Sequence, residues 1–258
     1  MDSYQKVTIA GSDHELYVKR DTHKGRHLMK YNGITNPKLT NLWRDAISQF
    51  QPDIVIDVGA QFGEVLFSTT YEKETKIIAF EMNPEYIPYL IKSKQNHPNF
   101  SQIEIIPTTS ATLVSNQVVY EALPQLVPLE DKNYGRLLFN MRLDGFESFF
   151  LKRLKGVVDS CEQVVGYIEF NSIQLKENGV NIEEYIHYLE EHFTIFIHAS
   201  TNKLIKLDSL NIPSLKRVVN KPYIITHLLL TTDSRLIETL GFHLKKAYLD
   251  MGFYYSKE

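Results

Sequence analysis

The sequence predicts an α/β fold: a mainly parallel, doubly wound sheet with an antiparallel hairpin at its end. Three observations point to it. Short apolar runs rich in β-branched residues recur at 54–58, 76–80, 102–106, 137–143 and 164–170, as in strands covered on both faces by helices. Each gap between them is long enough for the crossover that parallel pairing needs. Near the end of this series, 194–198 and 203–207 flank Ser200, Thr201 and Asn202, a turn composition that reads as a hairpin.

The elements follow in order. Residues 1–36 are polar and rich in His and Lys, with strand-like stretches at 7–9 and 16–18, and read as an arm capping the core. Leu39, Leu42, Trp43, Ala46, Ile47 and Phe50 recur at helical spacing until Pro52 stops them. Phe146, Phe149, Phe150 and Leu154 form a second helical stripe, with Gly156 as its expected stop. Asn181 is placed to accept the amide hydrogen of Glu184, and Ile182, Tyr185, Ile186, Leu189 and Phe193 make one apolar face. A strand over 223–230 and a helix along Leu236, Leu240, Leu244 and Tyr248 complete the chain. The expected organisation is an N-terminal arm and helix over 1–52, a ligand-binding core over 53–210, and a C-terminal strand and helix over 211–258 packed on that core.

Composition narrows the function. With 258 residues, 43% hydrophobic and 23% charged, the chain can bury a substantial core. A net charge of −3 with intermixed signs offers no basic face for a run of phosphates, so nucleic acid is not an expected partner. A single cysteine, Cys161, forms no internal disulfide framework and points to the cytoplasm. No stretch approaches the roughly 20 apolar residues of a membrane span, so direct membrane insertion is not expected. His14, His23 and His27 lie in the polar arm without tight ligand spacing, and no metal is expected. Oligomeric state is left open.

In a doubly wound sheet the ligand lies beyond the carboxyl ends of the strands where the winding reverses. The first core strand ends in Asp57, Val58, Gly59, Ala60, Gln61, Phe62, Gly63 and Glu64. Glycine at 59 and 63 permits backbone angles closed to other residues, and its missing Cβ lets a ligand lie against the turn. The second strand ends in Ala79, Phe80, Glu81, Met82, Asn83 and Pro84, so an acid follows Asp57 after 81 − 57 = 24 residues, a spacing that suits a carboxylate accepting ribose hydroxyls. Asp57, in an otherwise apolar strand, needs a donor to offset lost hydration. A dinucleotide site shows a third close glycine, whereas position 61 is Gln. Glu64, at the expected start of the following helix, would also repel a pyrophosphate.

These two motifs, with Leu143-Asp144-Gly145-Phe146-Glu147, Leu154-Lys155-Gly156 and Gly166-Tyr167-Ile168-Glu169-Phe170-Asn171, resemble the FkbM-type family of S-adenosylmethionine-dependent methyltransferases over roughly 53–210. The resemblance implies a Rossmann-like class I methyltransferase fold, S-adenosylmethionine as cofactor and O-methylation of a saccharide or other small-metabolite hydroxyl. It implies that Asp57, Gly59, Ala60, Gln61, Phe62, Gly63 and Glu64 shape the cofactor turn, and that Glu81, Met82 and Asn83 hold the ribose. Thr109 and Ser110 would lie near the adenine, and Asp144 and Glu147 would face the acceptor, orienting or deprotonating its hydroxyl. For Glu147 an exposed helix position is the equal alternative. Arg142 departs from the family, which carries Asp there. That reversal, with the weak match of 111–135 to the family, favours a rival reading, a methyltransferase-fold binding or scaffold protein without transfer. A nicotinamide-dependent oxidoreductase, with Glu81 on the ribose, is the third reading.

Overall fold

The structure is a computed structural model and describes residues 4–108, 134–200, 203–207 and 209–246. Five strands run parallel: β3 (Ile54–Val58), β4 (Lys76–Glu81), β5 (Ile103–Pro107), β6 (Tyr134–Met141) and β7 (Cys161–Asn171). Around them lie an N-terminal pair, β1 (Tyr4–Thr8) and β2 (Glu15–Lys19), and a C-terminal group, β8 (Thr194–Ser200), β9 (Lys203–Lys206), β10 (Ile225–Thr231) and β11 (His243–Lys246). Among the described residues, the main sheet has the order β11-β9-β8-β10-β7-β6-β3-β4-β5. From β3 the chain winds outward through β4 to β5, then returns to β6 on the other side of β3. The winding therefore reverses between β3 and β6, and the crevice of a doubly wound sheet opens at their carboxyl ends. This is the α/β, Rossmann-like arrangement expected from the sequence.

Among the described residues the helices are α1 (His23–Lys30), α2 (Pro37–Phe50), α3 (Ile87–Gln95), α4 (Glu147–Asp159), α5 (Ser172–Glu177), α6 (Ile182–His192), α7 (Ile212–Val219) and α8 (Leu236–Thr239). Asn36 caps α2 by accepting from the Leu39 amide, with Pro37 where a missing N–H costs nothing. Asn181 caps α6 as its spacing predicts. Two apolar clusters fill the two faces of the sheet. One packs Ile56, Phe139 and Ile168 against α4 to α7, and the other packs Val55, Leu138 and Val165 against the N-terminal hairpin, α1, α2 and α8.

Three expectations are corrected. Gly156 does not stop α4, which runs on to Asp159 and closes on Ser160, whose amide bonds to the Gly156 and Val157 carbonyls. The C-terminal helix is only one turn, because Gly241, at φ +73°, ends it, and Leu244 lies instead on β11, parallel to β9; Tyr248 lies outside the described residues. The C-terminal segment also does more than pack on the core, since β10 is inserted antiparallel between β7 and β8. Apolar spacing alone does not separate one turn of helix plus a strand from a longer helix. Among the described residues, no helix is long and apolar enough to cross a membrane.

The turn after β3 is tied down by buried polar groups. The Trp43 indole donates to the Tyr71 hydroxyl at 3.0 Å, and that hydroxyl donates to the Leu66 carbonyl at 2.6 Å, so α2 is anchored to the loop it covers. His97 is fixed in one neutral form: its Nδ1 accepts from the Asn99 amide at 3.2 Å, leaving Nε2 to donate to the Thr69 carbonyl at 3.0 Å. Burial, with the His14 ring 4.7 Å away, pushes its pKa down to about 4. The unfolded chain thus takes up a proton below about pH 6.5 that the folded chain refuses, and the His97 contribution is lost on acidification. His97→Gln is expected to cost about 1–3 kcal/mol at pH 7.5. Urea titrations of both proteins should show this gap narrowing as pH falls from 6.5 toward 4, and a gap independent of pH would contradict the assignment.

Candidate functional site

The crevice is built from the ends of adjacent strands. Asp57, next to last in β3, is 1% exposed and lies level with Asn140 of β6, whose side-chain amide donates to its Oδ1 at 2.8 Å. This is the donor that a buried carboxyl in an apolar strand requires. Burial nonetheless pushes the Asp57 pKa up to about 7; Asn140 and Arg142 pull it down, while Glu81 adds to the rise. Glu81, last in β4 and 3% exposed, accepts from the amides of Gln61 and Asn83, the latter at 2.7 Å. Burial raises its pKa too, against those amide bonds, and Asp144 adds repulsion.

The turn between these acids is closed by the protein itself. Gly59 and Gly63 have φ of +79° and +83°, and Gln61 between them is also left-handed at +53°. A Cβ on Gly59 would stand 1.9 Å from the Arg142 carbonyl oxygen, and one on Gly63 would stand 2.2 Å from the Phe67 ring. The glycines are thus required by the chain's own close approaches, a correction to the expectation that they clear space for a ligand. Phe62 is buried against Tyr86 and Tyr89. Ala60 is buried, its amide directed to the Phe80 carbonyl. Gln61, Met82 and Asn83 are partly exposed at the crevice.

Glu64 does not belong to the crevice. No α-helix starts there; a single 3-10 turn, Leu66–Ser68, follows. The Glu64 carboxylate instead turns to the N-terminal arm, where it pairs with Lys24 and accepts from the Thr35 amide and hydroxyl and from the Asn36 amide. Burial alone would raise its pKa, but Lys24 and these bonds hold it below the usual carboxylate range. The expected opposition between Glu64 and a pyrophosphate is therefore not made.

Glu147 is not the exposed helix position of the alternative reading. It is 2% exposed and accepts from the amides of Leu143 and Gly145 at 2.7 and 3.0 Å, locking the turn in which Asp144 is left-handed at φ +50°. Burial pushes its pKa up to about 7 against those bonds. Asp144 is exposed at the rim, and Asn178 holds its carbonyl at 3.0 Å. Thr109 and Ser110 lie outside the described residues; Thr108, just before them, is buried with its amide on the Glu81 carbonyl.

Sequence reasoning missed the other half of the crevice. Arg142 Nε meets Glu169 Oε2 at 3.1 Å, so the charge reversal at 142 is answered by an acid on the neighbouring strand. On the same face lie Tyr167, His198 and His227: the Tyr167 hydroxyl is 2.9 Å from His198 Nδ1, and its ring stacks on His227 at 5.2 Å. The signal was present as polar residues inside apolar runs, Asn140 in 137–143 and His227 in 223–230. Among the described residues, no group of three or more His, Cys, Asp or Glu is placed to hold a metal ion.

No family model matches the chain, and no curated protein matches it. Solved structures with a similar outline include the O-methyltransferase TomG from Streptomyces achromogenes in complex with SAM, at 10% identity and a TM-score of 0.48 over 78% of this chain and 82% of that one. The O-methyltransferase from Bacillus cereus in complex with SAH gives 7% identity and 0.47 over 77% and 82%. A SAM-dependent O-methyltransferase from Thermotoga maritima gives 11% and 0.45 over 88% and 77%. At such identities no residue role passes from one chain to another.

The geometry of the turn makes one expectation sharp. Gly59→Ala combines a left-handed backbone with a collision against a main-chain oxygen, and is expected to destabilise the fold by at least about 2 kcal/mol. Denaturant unfolding of the variant measures this, and a loss under about 0.5 kcal/mol would mean that the turn relaxes freely.

Proposed function

We propose that the chain is an S-adenosylmethionine-dependent methyltransferase that methylates a hydroxyl of a saccharide or other small metabolite. One observation carries the proposal: two buried carboxyl groups, Asp57 and Glu81, stand close to the carboxyl ends of the adjacent parallel strands β3 and β4, beside the switch point between β3 and β6. The donors on Asp57 Oδ1 and on both Glu81 oxygens leave further lone pairs unused, so the crevice offers acceptors and calls for a ligand rich in donors and positive charge. S-adenosylmethionine fits, because its ribose diol and ammonium donate and its sulfonium is cationic. Glu81 would take the ribose hydroxyls, and Asp57, beside Asn140, would favour the charged amino-acid end. When bound, the cofactor supplies an electrophilic methyl group; the protein's part is to hold donor and acceptor in line and keep water out.

The nicotinamide reading fits less well. A pyrophosphate brings acceptors to acceptors and needs the free amides of a helix N-terminus. Here the amides of Gly59, Ala60 and Gln61 are spent on Phe80 and Glu81, and one 3-10 turn stands where the helix would start. The reading of a fold kept without transfer drew on the charge reversal at Arg142 and on the segment 111–135; Arg142 is paired with Glu169, and residues 111–133 lie outside the described residues.

Titration calorimetry with S-adenosylhomocysteine, S-adenosylmethionine and NAD tests the proposal. The first two are expected to saturate the protein and NAD to give no heat; the reverse would overturn it. Glu81→Ala is expected to weaken S-adenosylhomocysteine binding at least about tenfold, the worth of a hydrogen bond to a charged group. Donors favour ionised Asp57, so below its pKa of about 7 a proton must first be displaced. Affinity for S-adenosylmethionine should therefore rise from about pH 6 to 8, by at most tenfold per unit, and Asp57→Asn should flatten the dependence.

A further inference from the structure

We propose that His227, on β10, is the base that takes the proton of the acceptor hydroxyl, in an acceptor site that it forms with Tyr167, Glu169 and Arg142. This rests on the methyl-transfer reading and goes beyond it by naming the second half of the site. From β3 to β10 the sheet crosses β6 and β7, three spacings or about 14 Å. A nucleoside gripped by Asp57 and Glu81 at β3 and β4 leaves the ends of β6, β7 and β10 for a second molecule. On the sheet face that carries Asp57, those ends present Arg142, Glu169 and His227, with Glu169 and His227 directly opposed in the antiparallel ladder.

Asp57, Glu81, Glu147 and Glu169 already meet protein donors, and Asp57 and Glu81 are assigned to the cofactor side. Asn140 holds Asp57, backbone amides hold Glu81 and Glu147, Arg142 holds Glu169, and Asp144 lies exposed at the rim. His227 is different. Its ring is half-buried and stacked on Tyr167, and among the described residues none hydrogen-bonds to it. The groups that face it are His198 from β8, Lys38 from α2, Arg142 from the end of β6 and Glu169 from β7. Burial first, then the charges of His198, Arg142 and Lys38, lowers its pKa to about 4, so at pH 7 the imidazole is neutral and one ring nitrogen carries a lone pair.

In the step, a lone pair of the acceptor oxygen forms the new O–CH3 bond while the S–CH3 bond breaks. The bonding pair stays on sulfur as a neutral thioether, and the hydroxyl proton passes to a ring nitrogen of His227, then to water. The Arg142–Glu169 pair supplies a donor and an acceptor that hold a neighbouring hydroxyl.

The test follows label from [methyl-3H]S-adenosylmethionine into an equimolar mixture of glucose, galactose, rhamnose, glycerol and catechol. Wild-type protein, His227→Gln, and His227→Ala with and without added imidazole are compared, each also titrated with S-adenosylhomocysteine. Transfer by His227→Gln should fall at least about 100-fold with cofactor affinity unchanged, and imidazole should restore part of the rate to His227→Ala. Transfer by His227→Gln within about threefold of wild type overturns the inference and leaves the transferase reading intact. Cofactor binding by the wild type without labelling overturns both, and no cofactor binding overturns the reading at its root. Should the variants fail to bind cofactor, the wild-type pH profile decides. At saturating S-adenosylmethionine, a rate flat from about pH 6 to 8 supports a neutral imidazole base, and a rate rising about tenfold per unit refutes it.

Discussion

The desolvation of Asp57 is the constraint on which the rest of the site depends. Asp57 lies near the carboxyl end of β3, between β6 and β4, and is 1% exposed; an unpaired charge there would cost several kcal/mol. The Asn140 amide on the next strand meets part of that cost. It does so only because β3 and β6 are parallel neighbours in a register that sets the two residues level. The same neighbourhood brings the Arg142 carbonyl against Gly59 and forces the left-handed turn. Strand order, turn conformation and carboxyl chemistry are consequences of one packing arrangement.

The N-terminal arm belongs to that arrangement. Glu64 leaves the glycine turn to meet Lys24, Thr35 and Asn36, and Arg44 of α2 donates to the carbonyls of Ala10 and Ser68. The loop after β3 thus has the sheet on one side and the arm on the other. Its shape is set by buried hydrogen bonds on both.

Charge is divided along the crevice. Asp57 and Glu81 make the end at β3 and β4 a place for donors. Toward β7 and β10, Arg142 is paired with Glu169, and a neutral, aromatic-stacked histidine lies beside them. A cationic donor and a neutral hydroxyl acceptor would each meet the environment that suits them, with the basic group on the acceptor side.

The sequence by itself determined the five parallel strands, since β-branched runs and crossover lengths are local properties. It also determined the two acids at strand ends, since a carboxylate in an apolar run is visible without coordinates. Tertiary structure decided where side chains point. Glu64 and Glu147 share the polarity and spacing of ligand-binding acids, but tertiary hydrogen bonds turn one to the arm and the other into its own turn. His227 and Glu169 are 58 residues apart, and only the antiparallel insertion of β10 beside β7 makes them neighbours. Periodicity reports which face of an element is buried; it carries no information about which distant element covers that face, and in this chain the second half of the site depends on that pairing.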